Sequence, residues 1–178
     1  KFSSRRILII TGQVVGESQI SNLLEGEDVL NTLKVMKMLG ANIKKKDGKY
    51  IVFGLPPGAL FEPNKSLDFG NSGTGIRLLA GVISSNNIKA KLIGDKSLSA
   101  RPMRRVTDHL KKIGAIIKLR KDSFPPISIQ GVGDAVPFKY DILIPSAQIK
   151  SAIMLSALNT KGLVEIKEYK STRDHTEN

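Results

Sequence analysis

The chain contains no cysteine and no tryptophan. Without cysteine there can be no disulfide, no thiolate metal site and no cysteine nucleophile. Three Tyr and six Phe are few for a platform on which nucleic-acid bases stack. No apolar run approaches the roughly 18 residues that a membrane span needs. Acidic residues are scarce beside basic ones: 16 Asp and Glu stand against 28 Lys and Arg, a formal net charge of +12. Such an excess points to an anionic partner, and three readings stand side by side: a nucleic acid, a small multiply charged substrate, or lysine-rich solubility. Some of the charge has a local explanation. In "KKKDGKY" (Lys44 to Tyr50), Asp47-Gly48 is a hairpin-turn signal, so these lysines are expected to face water.

What is present is globular in composition. With 178 residues, 40% of them hydrophobic, the chain can bury a core as one sizeable domain or two small ones. It starts at Lys1 without a methionine and therefore reads as a piece of a longer polypeptide.

Internal repetition organises the rest. "LGANIK" (Leu39 to Lys44) recurs as "IGAIIK" (Ile113 to Lys118), each ending a helical pattern with Gly40 or Gly114 at the C-cap. "NSGTGIRLLAGVI" (Asn71 to Ile83) recurs as "PSAQIKSAIMLSAL" (Pro145 to Leu158), and Ser72 and Ser146 are separated by the same offset as Leu39 and Ile113. A looser relative opens the chain, "SSRRILIITGQVV". The unit reads as a Ser- or Gly-bearing loop, a short apolar helix (7–14, 74–83, 148–158), a strand (19–22, 89–93, 163–166), a more amphipathic helix (29–39, 103–113) and two closing strands (41–45 with 50–53; 115–119 with 127–129). The units fall near 1–69, 70–143 and 144–178, the third incomplete.

Three equivalent helices, apolar on most faces but polar where they start, are expected to lie side by side with their N-termini at one end. Free N–H groups and about half a positive charge at each terminus, with Arg6, Arg77 and Lys150 near in sequence, would make an anion site. The simpler reading is capping alone, by Ser72 and Ser146.

At this point "LDFGNSGTGIRLL", "GDKSLSARPM", "PSAQIKSA" and "STRDHTE", preceded by "KFSSRR", resemble in order the signatures of the EPSP synthase (3-phosphoshikimate 1-carboxyvinyltransferase) family, over the whole chain. The resemblance implies an α/β fold of repeated βαβαββ units around a pseudo-threefold axis, with buried parallel helices: an inside-out α/β barrel. It implies that the chain is a partial N-terminal domain of a two-domain enzyme whose second domain lies elsewhere in the polypeptide. The implied reaction moves the enolpyruvyl group of phosphoenolpyruvate to the 5-hydroxyl of shikimate 3-phosphate, within aromatic amino-acid biosynthesis. It implies no cofactor and no metal, two small anionic substrates, no nucleic acid, no membrane, a monomer when full length, and a cytoplasmic location.

Residue by residue, Lys1 matches the family's active-site lysine, which contacts both substrates, and Arg6 the arginine that pairs with the shikimate carboxylate. Gly73 and Arg101 match the phosphoenolpyruvate pocket. Ser146, Ala147 and Gln148 match the segment holding the 3-phosphate and the shikimate ring, with Gln148 also near phosphoenolpyruvate. Ser171 and Arg173 fall where the family has further phosphate contacts. Phe2 departs from the pattern, which has serine there. The family's acid/base carboxylates belong to the second domain, so Asp68, Asp95 and Asp174 are not assigned that work.

Two other readings remain open. The sister enolpyruvyl transferase acting on UDP-N-acetylglucosamine shares the fold but usually carries a cysteine in the loop that here reads "GDKSLSARP". A basic nucleic-acid-binding repeat domain would show steeply salt-dependent DNA binding.

Overall fold

The structure, a computed structural model, describes residues 2–142, 145–174 and 176. The chain begins with helix α1 (Phe2–Thr11), strand β1 (Gly16–Ile20), helix α2 (Glu27–Met38) and the strands β2 (Asn42–Lys46) and β3 (Lys49–Gly54). The second stretch has β4 (Leu67–Asp68), α3 (Gly73–Ser84), β5 (Lys89–Ile93), a 3-10 turn (Leu98–Ala100), α4 (Arg104–Lys111), β6 (Ile116–Arg120) and β7 (Phe124–Gln130). The third has β8 (Lys139–Ile142), α5 (Ala147–Ala157) and β9 (Glu165–Glu168).

The repeat is visible in the topology. β1, β3 and β2 form an antiparallel sheet with β3 central, and β5, β7 and β6 repeat that order in the second sheet. β4 adds to this second sheet parallel to β5, and β8 pairs parallel with β9 in the same way. The helix between each parallel pair, α3 or α5, is thus the crossover of a βαβ unit. The strands leading into these helices are absent from the periodicity reading: two residues at β4 are too few to show a period of two, whereas β8 does alternate over its four residues and was passed over. The first helix also starts earlier than the apolar pattern suggests, at Phe2 and not Ile7, because Ser3, Ser4, Arg5 and Arg6 interrupt the apolar pattern at its start.

Local chemistry explains the connections. α2 buries Val29, Thr32, Leu33 and Met36, one face at helical spacing, and carries Glu27 and Asp28 in the first turn where the helix dipole favours them. It ends at Gly40, φ 105°, with the Gly40 N–H donating to the Lys37 carbonyl (3.1 Å) and the Ala41 N–H to that of Met36 (3.0 Å). That double bond is a Schellman cap, and its left-handed residue suits glycine. Asp47 and Gly48 both have positive φ and join β2 to β3 with Lys46 opposite Lys49, the expected two-residue hairpin.

α3 is buried on every side except at Arg77. It packs against α5, and a Cβ at Gly81 would lie 2.1 Å from the carbonyl oxygen of Ala152, so glycine is what lets the two backbones approach. The helices run parallel. Gln148 donates to Thr74 at one end and Asn159 to the Ser85 carbonyl at the other, each pair 74 residues apart. Among the described residues no helix is long and apolar enough to cross a membrane.

Candidate active site

The polar starts of α1, α3 and α5 meet at one pole. From α1, Arg5 reaches the Ser72 hydroxyl (3.4 Å) at the N-cap of α3, and Arg6 reaches the Ser151 hydroxyl (3.1 Å) in the first turns of α5. Both arginines are buried; Arg6 is 3% exposed. Arg5 pairs with Asp28 at 2.7 Å. Arg6 also donates from Nε to the Thr176 hydroxyl (2.6 Å), which lies 2.7 Å from Ser151. Ser151 gives its proton to the Ala147 carbonyl (2.7 Å), so Thr176 is the donor in that hydroxyl pair.

The capping reading and the convergence reading both hold. Ser72 accepts from the Gly75 N–H at 3.1 Å and Ser146 from that of Ile149 at 3.4 Å. A Cβ on Gly75 would fall 2.7 Å from the Ser72 hydroxyl, so this cap packs closely over glycine where the equivalent cap at Ser146 has Ile149.

Around Gly73, two guanidiniums close in from different elements. Arg77, one turn along α3, donates to the Gly73 carbonyl (2.9 Å), to the side-chain oxygen of Gln148 (3.0 Å) and to the Pro102 carbonyl (3.2 Å). Gln148 passes its amide N–H on to the Thr74 hydroxyl at 3.1 Å. Arg101, just after the 3-10 turn, bonds the Asn71 side-chain oxygen, the Asn71 carbonyl (3.4 Å) and Ser97 (3.3 Å). A Cβ on Gly73 would sit 3.0 Å from one Arg101 nitrogen and 3.1 Å from one of Arg77. Burial, and secondly the like charge of Arg101, lower the Arg77 pKa from its ordinary value. Two guanidiniums this close, each bonded to neutral partners, disfavour one another's charge, with the Asp95 carboxylate close enough to Arg101 to interact with it.

Asp95 supports this arrangement. Its carboxylate accepts the Leu98 N–H (2.7 Å) and the Asn71 amide (2.9 Å), and these bonds hold its pKa below the ordinary value. It orients Asn71, which orients Arg101.

Ala147 and Gln148 are the first two residues of α5, half-buried at the pole. Lys150 departs from expectation. Its buried ammonium pairs with Glu168 of β9 at 2.8 Å, so a carboxylate already shares its charge. Ser171 and Arg173 lie exposed in the segment after β9, and the same segment returns to the pole at Thr176. Lys1 lies outside the described residues. Sequence reasoning passed over Arg5, Asn71, Thr74 and Thr176. All four sat inside motifs already singled out, Arg5 in "KFSSRR", Asn71 and Thr74 in "LDFGNSGTGIRLL" and Thr176 in "STRDHTE", and that was the available signal.

The comparisons agree with this architecture. The family model of EPSP synthase (3-phosphoshikimate 1-carboxyvinyltransferase) matches residues 1–178. The 3-phosphoshikimate 1-carboxyvinyltransferase of Acidiphilium cryptum is 46% identical over 100% of this chain and 40% of its own length. That of Granulibacter bethesdensis is 47% identical, over 100% of this chain and 39% of its own. The solved EPSP synthase of Acinetobacter baumannii superposes with a TM-score of 0.93 at 37% identity, covering 99% of this chain and 40% of that one. The chain therefore spans about 40% of the length of the curated relatives it matches.

Proposed function

The chain belongs to the EPSP synthase family, and from that premise we propose that it forms one wall of the substrate cleft of a 3-phosphoshikimate 1-carboxyvinyltransferase. It is the partial N-terminal domain, with units near 1–69, 70–143 and 144–178, of a monomeric cytoplasmic enzyme whose second domain supplies the other wall. The observation that carries this reading is the convergence of three helix starts on Arg6, Arg77 and Arg101.

Each substrate is dense in negative charge, and the pole offers cationic forks already held in place, which is how transition-state charge is stabilised without reorganisation. Arg6 takes the shikimate carboxylate in a bidentate geometry that lysine cannot copy. Arg101, with the close approach left by Gly73, grips phosphoenolpyruvate. Ser146, Ala147 and Gln148 hold the 3-phosphate and ring at the start of α5, with Ser171 and Arg173 adding phosphate contacts. Lys1 touches both substrates. The 5-hydroxyl of shikimate 3-phosphate attacks C2 of phosphoenolpyruvate while C3 takes a proton. The tetrahedral adduct then expels phosphate and returns the double bond. The carboxylates that move these protons belong to the second domain, so the chain alone binds shikimate 3-phosphate weakly and does not turn over.

Calorimetry and turnover assays test this. The folded 178-residue chain should bind shikimate 3-phosphate saturably without turnover. In the full-length protein, Arg6→Met should weaken that binding by on the order of 100-fold, the scale of losing one partner of a buried charged pair. Turnover by the chain alone, or full-length binding indifferent to Arg6→Met, would overturn the assignment. Salt-steep DNA binding in its place would favour the nucleic-acid reading.

A further inference from the structure

A second cationic region lies on the outer face of the four-stranded sheet. The ladder register sets Lys91, Ser128 and Lys118 in one cross-strand row and Lys89, Gln130 and Ile116 in the next. Ala90, Leu92, Ile127 and Ile129 of the same strands point into the core, so by alternation these two rows point out. Residues 62–66 wall the rows on one side and bring Lys65 to them. That wall is pinned where Glu62 accepts the Lys89 backbone N–H at 2.8 Å. The result is a hollow of about 460 Å³, within the usual range of small-molecule sites.

Its charge is uncompensated. Some lysines elsewhere on the surface find carboxylates, Lys45 with Glu25, Lys139 with Glu165 and Lys161 with Asp134, and what sets the hollow apart is four ammoniums around one concave lining. Among the described residues none of the four ammoniums of the hollow has such a partner, and the one carboxylate in its lining, Glu62, holds a backbone N–H. Lys91 and Lys118 root two strands apart, about 10 Å, a span from which two flexible ammoniums converge on one polyanionic chain. Between the strands Ser128 and Gln130 offer neutral hydrogen-bonding groups. Ile116 leaves an aliphatic surface 57% exposed in the lining.

We propose that this hollow binds a small organic polyphosphate bearing an apolar ring, of the nucleoside triphosphate class. The phosphates lie across Lys65, Lys89, Lys91 and Lys118, and the ring lies on Ile116. The site is separate from the helix pole and does not depend on the reaction proposed there.

The probe is ATP without divalent metal, titrated by calorimetry into the full-length protein in the presence of excess shikimate 3-phosphate and phosphoenolpyruvate. The expected result is saturable binding that weakens with salt, and that weakens by on the order of 10-fold or more in the Lys91→Gln/Lys118→Gln variant. The thermal midpoint should hardly move, because both side chains are exposed and neither makes a hydrogen bond or ion pair among the described residues. Inorganic tripolyphosphate should bind less tightly than ATP. No binding by the folded wild type, undiminished binding by the double variant, or displacement of ATP by shikimate 3-phosphate would overturn the proposal. Tripolyphosphate binding as tightly as ATP would overturn the placement of a ring on Ile116.

Discussion

The helix pole and the outer-sheet hollow are both cationic, yet they are built on opposite plans. At the pole the cations are guanidiniums, buried at Arg5 and Arg6 and half-buried at Arg77 and Arg101, each held by hydrogen bonds to a different part of the chain. On the outer sheet they are ammoniums on a solvated face, with no anionic partner among the described residues. Arginine suits an interior because its planar fork satisfies several acceptors at once and its charge is weakly hydrated. Lysine keeps a compact, strongly hydrated charge in water and shapes only the field outside. Charge at the pole is therefore part of the fold, whereas charge on the sheet is not.

Substitutions can break that contrast. The largest stability effect is expected from Arg5→Met, which strands Asp28 and removes a tie between α1 and the cap of α3. Asp28 is partly solvated, so the loss should be about 2 kcal/mol, below the range for a fully buried pair. Urea unfolding of this variant beside Lys118→Gln decides the matter: if both lose equally little, the pole cations are not structural. Ser72→Ala should cost about 1 kcal/mol, the worth of a helix N-cap, and should loosen the Gly73 turn without touching the sheet. A smaller effect should appear only in acid. The Glu168 carboxyl is held below its ordinary value of 4.5, first by Lys150 and next by the Thr172 hydroxyl. A carboxylate with a depressed folded pKa contributes stability that is present above the unfolded value and lost as pH falls through the folded one. Glu168→Gln should therefore flatten the fall in stability below about pH 4.5 and leave the neutral-to-alkaline limb parallel to wild type. Identical acid limbs would show that the Lys150 pair does not couple to folding.

Much of the fold was legible because its causes are local. The face of α2, the Gly40 turn, the Asp47-Gly48 hairpin and the recurrence of Ser72 as Ser146 all follow from interactions within a few residues. The repeat then implied that equivalent helices lie alongside one another, and the Gln148–Thr74 and Asn159–Ser85 bonds bear that out. What the sequence could not reveal is which side chain answers which. Lys150 stands one turn into α5 and looked like part of the anion site, and β9 brings Glu168 within 2.8 Å of it, a carboxylate that no spacing announced. Arg77 meets Gln148 across 71 residues, and Arg6 meets Thr176 across 170. No periodicity or spacing encodes such pairs, because a long cation has many reachable partners and only the packing of three separate helices selects among them. Helix starts, turns and the repeat were thus determined by the sequence through local sterics and hydrogen bonding. The wiring of the arginines, and the closeness of two guanidiniums over Gly73, were decided only by tertiary structure, where low dielectric and fixed backbones leave one arrangement favourable.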